Sequence, residues 1–164
     1  MNSPAERTSA VEELARREYE RLVRAVTMAC GSLPLAEDAV QEAFARAWRR
    51  ADEGGTFEHL AGWVVTVALN QTRRSRSLAR TIQPDVGVLP VPALDPVEAI
   101  DLRSAVVLLP SRQREVIVMH YFLDWSIATI AASLDVSEGN VKNALFRGRR
   151  SLAEKLSLDE GAPR

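Results

Sequence analysis

Cysteine, histidine and long apolar runs are scarce in this 164-residue chain, and each shortage excludes something. The single cysteine, Cys30, has no intramolecular disulfide partner, and without a C-x-x-C pair or a Cys/His cluster the sequence offers no zinc site. Its two histidines, His59 and His120, lack a carboxylate or cysteine at ligand spacing. No metal, no cofactor and no catalytic constellation is therefore expected, and the chain does not read as an enzyme. No apolar run approaches the ~18 residues needed to span a bilayer, which argues against membrane insertion. The N-terminal run MNSPAERTSAVEELARREYE lacks the apolar core of a secretory signal, so a cytoplasmic location is expected.

What is present is ordinary in amount and unusual in arrangement. At 46% hydrophobic and 26% charged the composition is that of a globular protein, long enough for one or two small domains. The formal net charge of -1 conceals segregation. Residues 70–80 carry Arg73, Arg74, Arg76 and Arg80 without an acid, and residues 141–150 carry Lys142, Arg147, Arg149 and Arg150 without one. Of the 21 basic side chains these strips take eight, which leaves 13 against 22 acidic ones. Concentrated cationic strips on an acidic body are footprints for phosphate, because a local cluster releases counterions whatever the global charge. A solvated helix face explains either strip alone equally well.

Proline and charge divide the chain into two helical blocks. Pro84, Pro90, Pro92 and Pro96 fall within one stretch without helical period, whose missing amides stop a helix. The expected organisation is all-α: a helical domain over 9–82, a Pro-rich linker over 83–97 and a second helical domain over 98–158. In the first, Ala36, Ala39, Val40, Ala43, Phe44, Ala47 and Trp48 form one apolar stripe on a helix from Leu35 to about Arg50. Trp48 and Trp63 are expected in the core. An earlier helix carries Tyr19, Leu22, Val23 and Val26, with Gly31 and Pro34 marking the turn. After a loop opened by Gly54 and Gly55, a helix from His59 to Arg80 passes from apolar residues to the first arginine strip.

The second block reads as a helix-turn-helix. Ser126 caps a short helix whose Ile127, Ile130, Ala131 and Leu134 share a face, Asp135 and Val136 turn, and Ser137 caps the next helix. Trp125, just before the first cap, is expected to staple its start. In the second helix Val141, Leu145, Gly148 and Leu152 lie in one sector at 100° per residue, which leaves Asn140, Asn143, Arg147 and Arg150 opposite. Amides and guanidinium groups are what a major groove demands, since Asn reads adenine and Arg reads guanine or clamps phosphate. Gly148 inside this helix costs about 1 kcal/mol relative to Ala, and a close approach to the helix over 126–134 is the expected reason.

With those residues in view, the run LPSRQREVIVMHYFLDWSIATIAASLDVSEGNVKNALFRGRRSLAEKL resembles the promoter-binding region 4 of bacterial sigma factors, and AEDAVQEAFARAW resembles their region 2.2. Both in this order, without a separate middle domain, resemble the extracytoplasmic-function (ECF) group. The resemblance implies an ECF-type sigma factor that binds core RNA polymerase, through the β′ clamp helices and the β flap, and directs initiation at promoter DNA. It implies core-polymerase docking by Asp38, Gln41, Glu42 and Arg46. Minus-10 recognition falls to Trp63, Asn70, Arg73, Arg74 and Arg76, with a base-capturing pocket in residues 52–62. Minus-35 recognition falls to Ser137, Glu138, Asn140, Lys142, Asn143, Arg147 and Arg150. An anti-sigma protein is a further partner implied by the group.

Thr66, Leu69 and Ala144 stand where relatives often carry basic residues. These departures blur the promoter sequence, not the class of function. Two other readings stay open: a stand-alone helix-turn-helix regulator that binds an operator as a dimer, and a sigma-like decoy that binds an anti-sigma factor without touching DNA.

Overall fold

Ser3 starts the first helix with a reciprocal cap: its hydroxyl accepts from the Glu6 amide while the Glu6 carboxylate accepts from the Ser3 amide. In the computed structural model, which describes residues 3–82 and 97–160, this helix, α1 (Pro4–Cys30), is far longer than its apolar residues alone announce. Gly31 ends it at φ 78°, a left-handed conformation suited to a residue without Cβ, and its amide donates to the Thr27 carbonyl. Ser32 then caps α2 (Leu33–Asp52), so Pro34 sits in the first turn of that helix and not in the connection, where its missing amide costs nothing.

The apolar stripe of α2 is buried as its period requires, Ala36, Val40, Ala43 and Ala47 each at 0% exposure. Small residues here let α2 lie close against α1 and α3 (Leu60–Ile82), and the three make a bundle. Trp48 departs from expectation: it ends the stripe at the rim, 42% exposed, with its indole N–H donating to Glu12. Trp63 is half-buried against the same core.

The second block opens with α4 (Val97–Val107), which adjoins the expected linker; residues 83–96 of that linker lie outside the described residues. α5 (Ser111–Ile117) runs into a π-helical turn (Val118–Phe122) closed by the Leu123 amide on the Val118 carbonyl. Ser126 caps α6 (Ile127–Leu134) through the Thr129 amide. Asp135 turns at φ 53°, and Val136 is tied to Ala131 before α7 (Glu138–Glu160) begins. This is the expected helix-turn-helix. Among the described residues there is no strand.

Ile130, Val141 and Leu145 hold α6 and α7 together at 0 to 1% exposure, each apolar side chain so buried being worth about 1.5–3 kcal/mol. Gly148 is explained differently from expectation. A Cβ there would lie 2.9 Å from Ile117 Cγ1, so the glycine admits α5, not α6, against the recognition helix. The buried side chains of both blocks form one continuous cluster, from Val11 to Leu145.

Candidate nucleic-acid and polymerase interfaces

Helix α7 is fixed from behind and bare in front. Ser137 caps it by accepting the Asn140 amide at 3.1 Å, and Glu138 occupies the first turn. Val141, Ala144, Leu145 and Gly148 are buried, whereas Asn140, Lys142, Asn143, Arg147 and Arg150 are all exposed. Asn140 to Arg150 extend over roughly 15 Å of helix, and a helix about 10–12 Å across fits a major groove about 12 Å wide. Phe146 is missing from the set expected from sequence. It is 64% exposed and stands one turn from Lys142, Asn143 and Arg150, in the middle of the polar sector. Only its position on the helical wheel marked it, because an aromatic reads as core by default.

Two more cations border this face. Arg149 lies 5.5 Å from the Tyr121 ring centroid, on the exposed π turn. Arg112 on α5 faces Asn143 and Arg147 across a cleft of about 290 Å³, with Ala144 in its lining. Ala144 is therefore a packing position here.

Helix α3 splits the residues expected to act together. Trp63, Asn70 and Arg74, at i, i+7 and i+11, share one side, with Asn70 and Arg74 exposed. Arg73 turns away and pairs with Glu115 at 2.8 Å; Arg76 turns toward Gly31, with Nη2 3.4 Å from where its Cβ would be. Thr66 is on that same side and donates to the Ser133 carbonyl at 2.9 Å. The side chain of Arg80 lies outside the described residues. The loop before α3 is closed by Arg50, which donates to the Thr56 carbonyl and lies 5.5 Å from the Phe57 and 6.0 Å from the Trp63 ring centroid. Phe57 meets Trp63 edge-on at 5.2 Å. Arg50, Phe57 and Trp63 thus form one cluster of a cation and two rings within residues 50–63.

The outer side of α2 carries Asp38, Gln41, Glu42 and Arg46. Glu42 bonds Arg46 at 2.7 Å and lies 3.6 Å from Arg49, and Gln41 donates to the Tyr19 hydroxyl at 3.2 Å. Asp38 is exposed.

The family profile Sigma-70 region 2 matches residues 14–81, and Sigma-70, region 4 matches residues 99–152. Over 142 residues the chain is 34% identical to the ECF RNA polymerase sigma factor SigL of Mycobacterium tuberculosis, covering 79% of this chain and 78% of that one. The chain belongs to the ECF sigma factors of RNA polymerase. The ECF RNA polymerase sigma factor SigM of the same organism is 30% identical over 154 residues, 90% of this sigma factor and 77% of SigM. The fold matches a sigma factor RpoE solved in complex with the anti-sigma factor NepR from Bartonella quintana, with TM-score 0.71 and 24% identity over 90% of this chain and 99% of that one. It matches CnrH, solved with the cytosolic domain of CnrY, with TM-score 0.71 and 23% identity over 95% and 96%. As a member of this family, the chain binds core RNA polymerase and directs promoter-specific transcription initiation.

Several charges of this ECF sigma factor are set by its fold. Glu115 is 3% exposed; burial pushes its carboxyl above the usual range, while Arg73, Arg112 and Arg114 pull it back. The hydrogen bond from Arg46, with Arg46 and Arg49 nearby, holds the Glu42 carboxyl below the usual range. His59 accepts the Gly62 amide through Nδ1 at 2.9 Å, which caps α3, and burial pushes its pKa down. Trp125 meets His59 edge-on at 5.0 Å, so it bridges the two blocks beyond the stapling role expected of it. Cys30 has no cationic neighbour in sequence, yet the fold brings Arg76 and Arg114 near; burial still raises its thiol pKa. No helix among the described residues is long and apolar enough to cross a membrane, and none of their His, Cys, Asp and Glu side chains group as a metal site.

Proposed function

We propose that α7 reads the minus-35 element as duplex, through Asn140, Lys142, Asn143, Phe146, Arg147 and Arg150, with Ser137 and Glu138 at its leading end. The observation that carries this is the bare sector of α7 held rigidly by α5 and α6, with the buried Val141 and Leu145 behind it. Asn and Arg supply edge contacts, and Phe146 supplies an apolar surface for a thymine methyl. Helix α3 takes the minus-10 element with Trp63, Asn70 and Arg74 on one side and Arg73 and Arg76 on the other. The Arg50, Phe57 and Trp63 group is the base-capture site.

The outer side of α2 grips the β′ clamp helices through Asp38, Gln41, Glu42 and Arg46, and the second block reaches the β flap. In this reading the chain acts as an initiation factor, and the chemistry of transcription is the polymerase's own. Its place of action is the cytoplasm. Similarity in fold to sigma factors solved with anti-sigma partners supports such a partner for this chain. A match to region 2 sets aside the stand-alone operator-binding regulator.

Arg147→Ala tests the α7 assignment. A base-reading arginine loses about 1–3 kcal/mol of binding and selectivity at one minus-35 position; a phosphate contact weakens all sequences alike and lowers the salt slope by about one. Unchanged affinity and unchanged salt slope in the reconstituted holoenzyme would remove Arg147 from the interface.

A further inference from the structure

The first turns of α1 precede the region 2 match, which begins at residue 14, and they lie against the far end of α2. Arg7 is half-buried and donates through Nε to the Ala51 carbonyl at 3.0 Å, across 44 positions of sequence. Glu12 accepts the Trp48 indole N–H at 3.4 Å, and Val11 is 3% exposed. The start of α1 is thus seated on the last turns of α2. The reciprocal Ser3 and Glu6 cap lies just ahead of Arg7 and holds its backbone helical.

The last carbonyls of a helix have no partner inside it. At the end of α2 the Arg49 carbonyl accepts the Glu53 amide at 3.0 Å and the Arg50 carbonyl accepts the Gly55 amide at 2.8 Å, whereas Ala51 accepts both the Gly54 amide at 3.2 Å and Arg7. The amide bonds stay within the turn; Arg7 ties that turn to another helix. Its guanidinium also meets the negative end of the α2 dipole. A Cβ at Gly55 would stand 2.9 Å from the Arg50 carbonyl oxygen, so only glycine fits so tight a turn. The turn brings the Thr56 carbonyl to Arg50 Nη2 at 3.3 Å, with the Arg50 guanidinium 5.5 Å from the Phe57 and 6.0 Å from the Trp63 ring centroid. We propose that Arg7 is a positioning residue for promoter melting: by anchoring Ala51 it fixes the turn over 52–56, and with it the direction of Arg50 over the two rings where an unstacked minus-10 base is held. This rests on the reading of Arg50, Phe57 and Trp63 as the base-capture site. Arg7 acts through Arg50 and not on the base itself.

The test titrates holoenzyme carrying Arg7→Ala against two probes taken from a mapped start site of the parent chain: a fork whose minus-10 strand is single-stranded, and a duplex holding the minus-35 element alone. Fork affinity is expected to fall roughly five- to tenfold, the scale of one hydrogen bond from a charged donor. Affinity for the minus-35 duplex and for core polymerase is expected to stay within about twofold. Arg7→Lys keeps a donor for the Ala51 carbonyl and is expected to restore fork binding. Arg50→Ala is expected to weaken fork binding as well, and adding Arg7→Ala to it to cause no further loss, because nothing is left to aim. Unchanged fork affinity in Arg7→Ala beside a loss in Arg50→Ala would overturn the positioning role alone, as would additive losses in the double variant or equal losses on both probes. Unchanged fork affinity in both single variants would overturn the base-capture reading, and the role of Arg7 with it.

Discussion

Phe146→Ala separates binding from folding more cleanly than any charge substitution in α7. A phenylalanine side chain offers about 150–250 Å² of burial, and 64% of Phe146 is exposed in the free chain. Roughly 130 Å² is thus left for the groove, about 3 kcal/mol at 25 cal/mol/Å² if all of it were covered. A ring lying along one groove wall covers about half of that, so the expected loss is ~1.5 kcal/mol, roughly tenfold in Kd. Folding is not weakened, since alanine in an exposed helix position is favoured by up to about 0.7 kcal/mol. Fluorescence anisotropy of holoenzyme on a minus-35 duplex at fixed salt measures the first quantity, and thermal unfolding of the free protein the second. The slope of affinity against salt stays unchanged, because no phosphate contact is lost. Affinity within about twofold of the parent, or a loss of affinity matched by a fall in Tm, would refute the groove contact.

Three further outcomes are expected. Asp38→Arg with Glu42→Arg reverses the charge of the outer side of α2 and abolishes core-polymerase binding with helix content intact by circular dichroism; retained binding in a pull-down shows that this side is merely solvated. Gly31→Ala forces a side chain into φ 78° and costs about 1–2 kcal/mol, a fall in Tm of roughly 2–8 °C. Contact is not the cause, since the nearest atom to a Cβ there is 3.4 Å away; an unchanged urea midpoint would contradict this. Burial lowers the His59 pKa, so the unfolded chain takes up the proton first as pH falls below about 6.5 and the folded chain later. That contribution is fully present above the unfolded pKa and is lost on acidification. Denaturant titrations at pH 7.5 and 5.5 should show a smaller loss in His59→Gln than in the parent, and equal losses would show that His59 does not titrate through this cap.

The sequence carried its local structure plainly. The α2 stripe, the Ser126 and Ser137 caps and the Asp135 turn depend on residues within a few positions of one another, and the structure has them as read except for Trp48, which leaves the stripe for the rim. What depended on distant partners was hidden. Gly148 makes room for Ile117, thirty-one positions earlier, and no pattern within α7 points to α5. Arg73 and Arg74 are neighbours in a cationic strip, yet the 100° step between them sends one to Glu115 and leaves the other in solvent. The polar charge of α1 masked its N-terminal half, which the Ser3 cap and the burial of Val11 stabilise. Phe146 was legible from its sector, but hydrophobicity outweighed position.

Transcription reconstituted with core polymerase on a supercoiled template, with start sites mapped for the parent chain and for Arg147→Ala, decides whether the chain directs initiation through α7. Discrete starts with the parent, weakened at the same positions by the substitution, are the predicted result. Core polymerase that initiates no differently with the chain than without it would contradict the account.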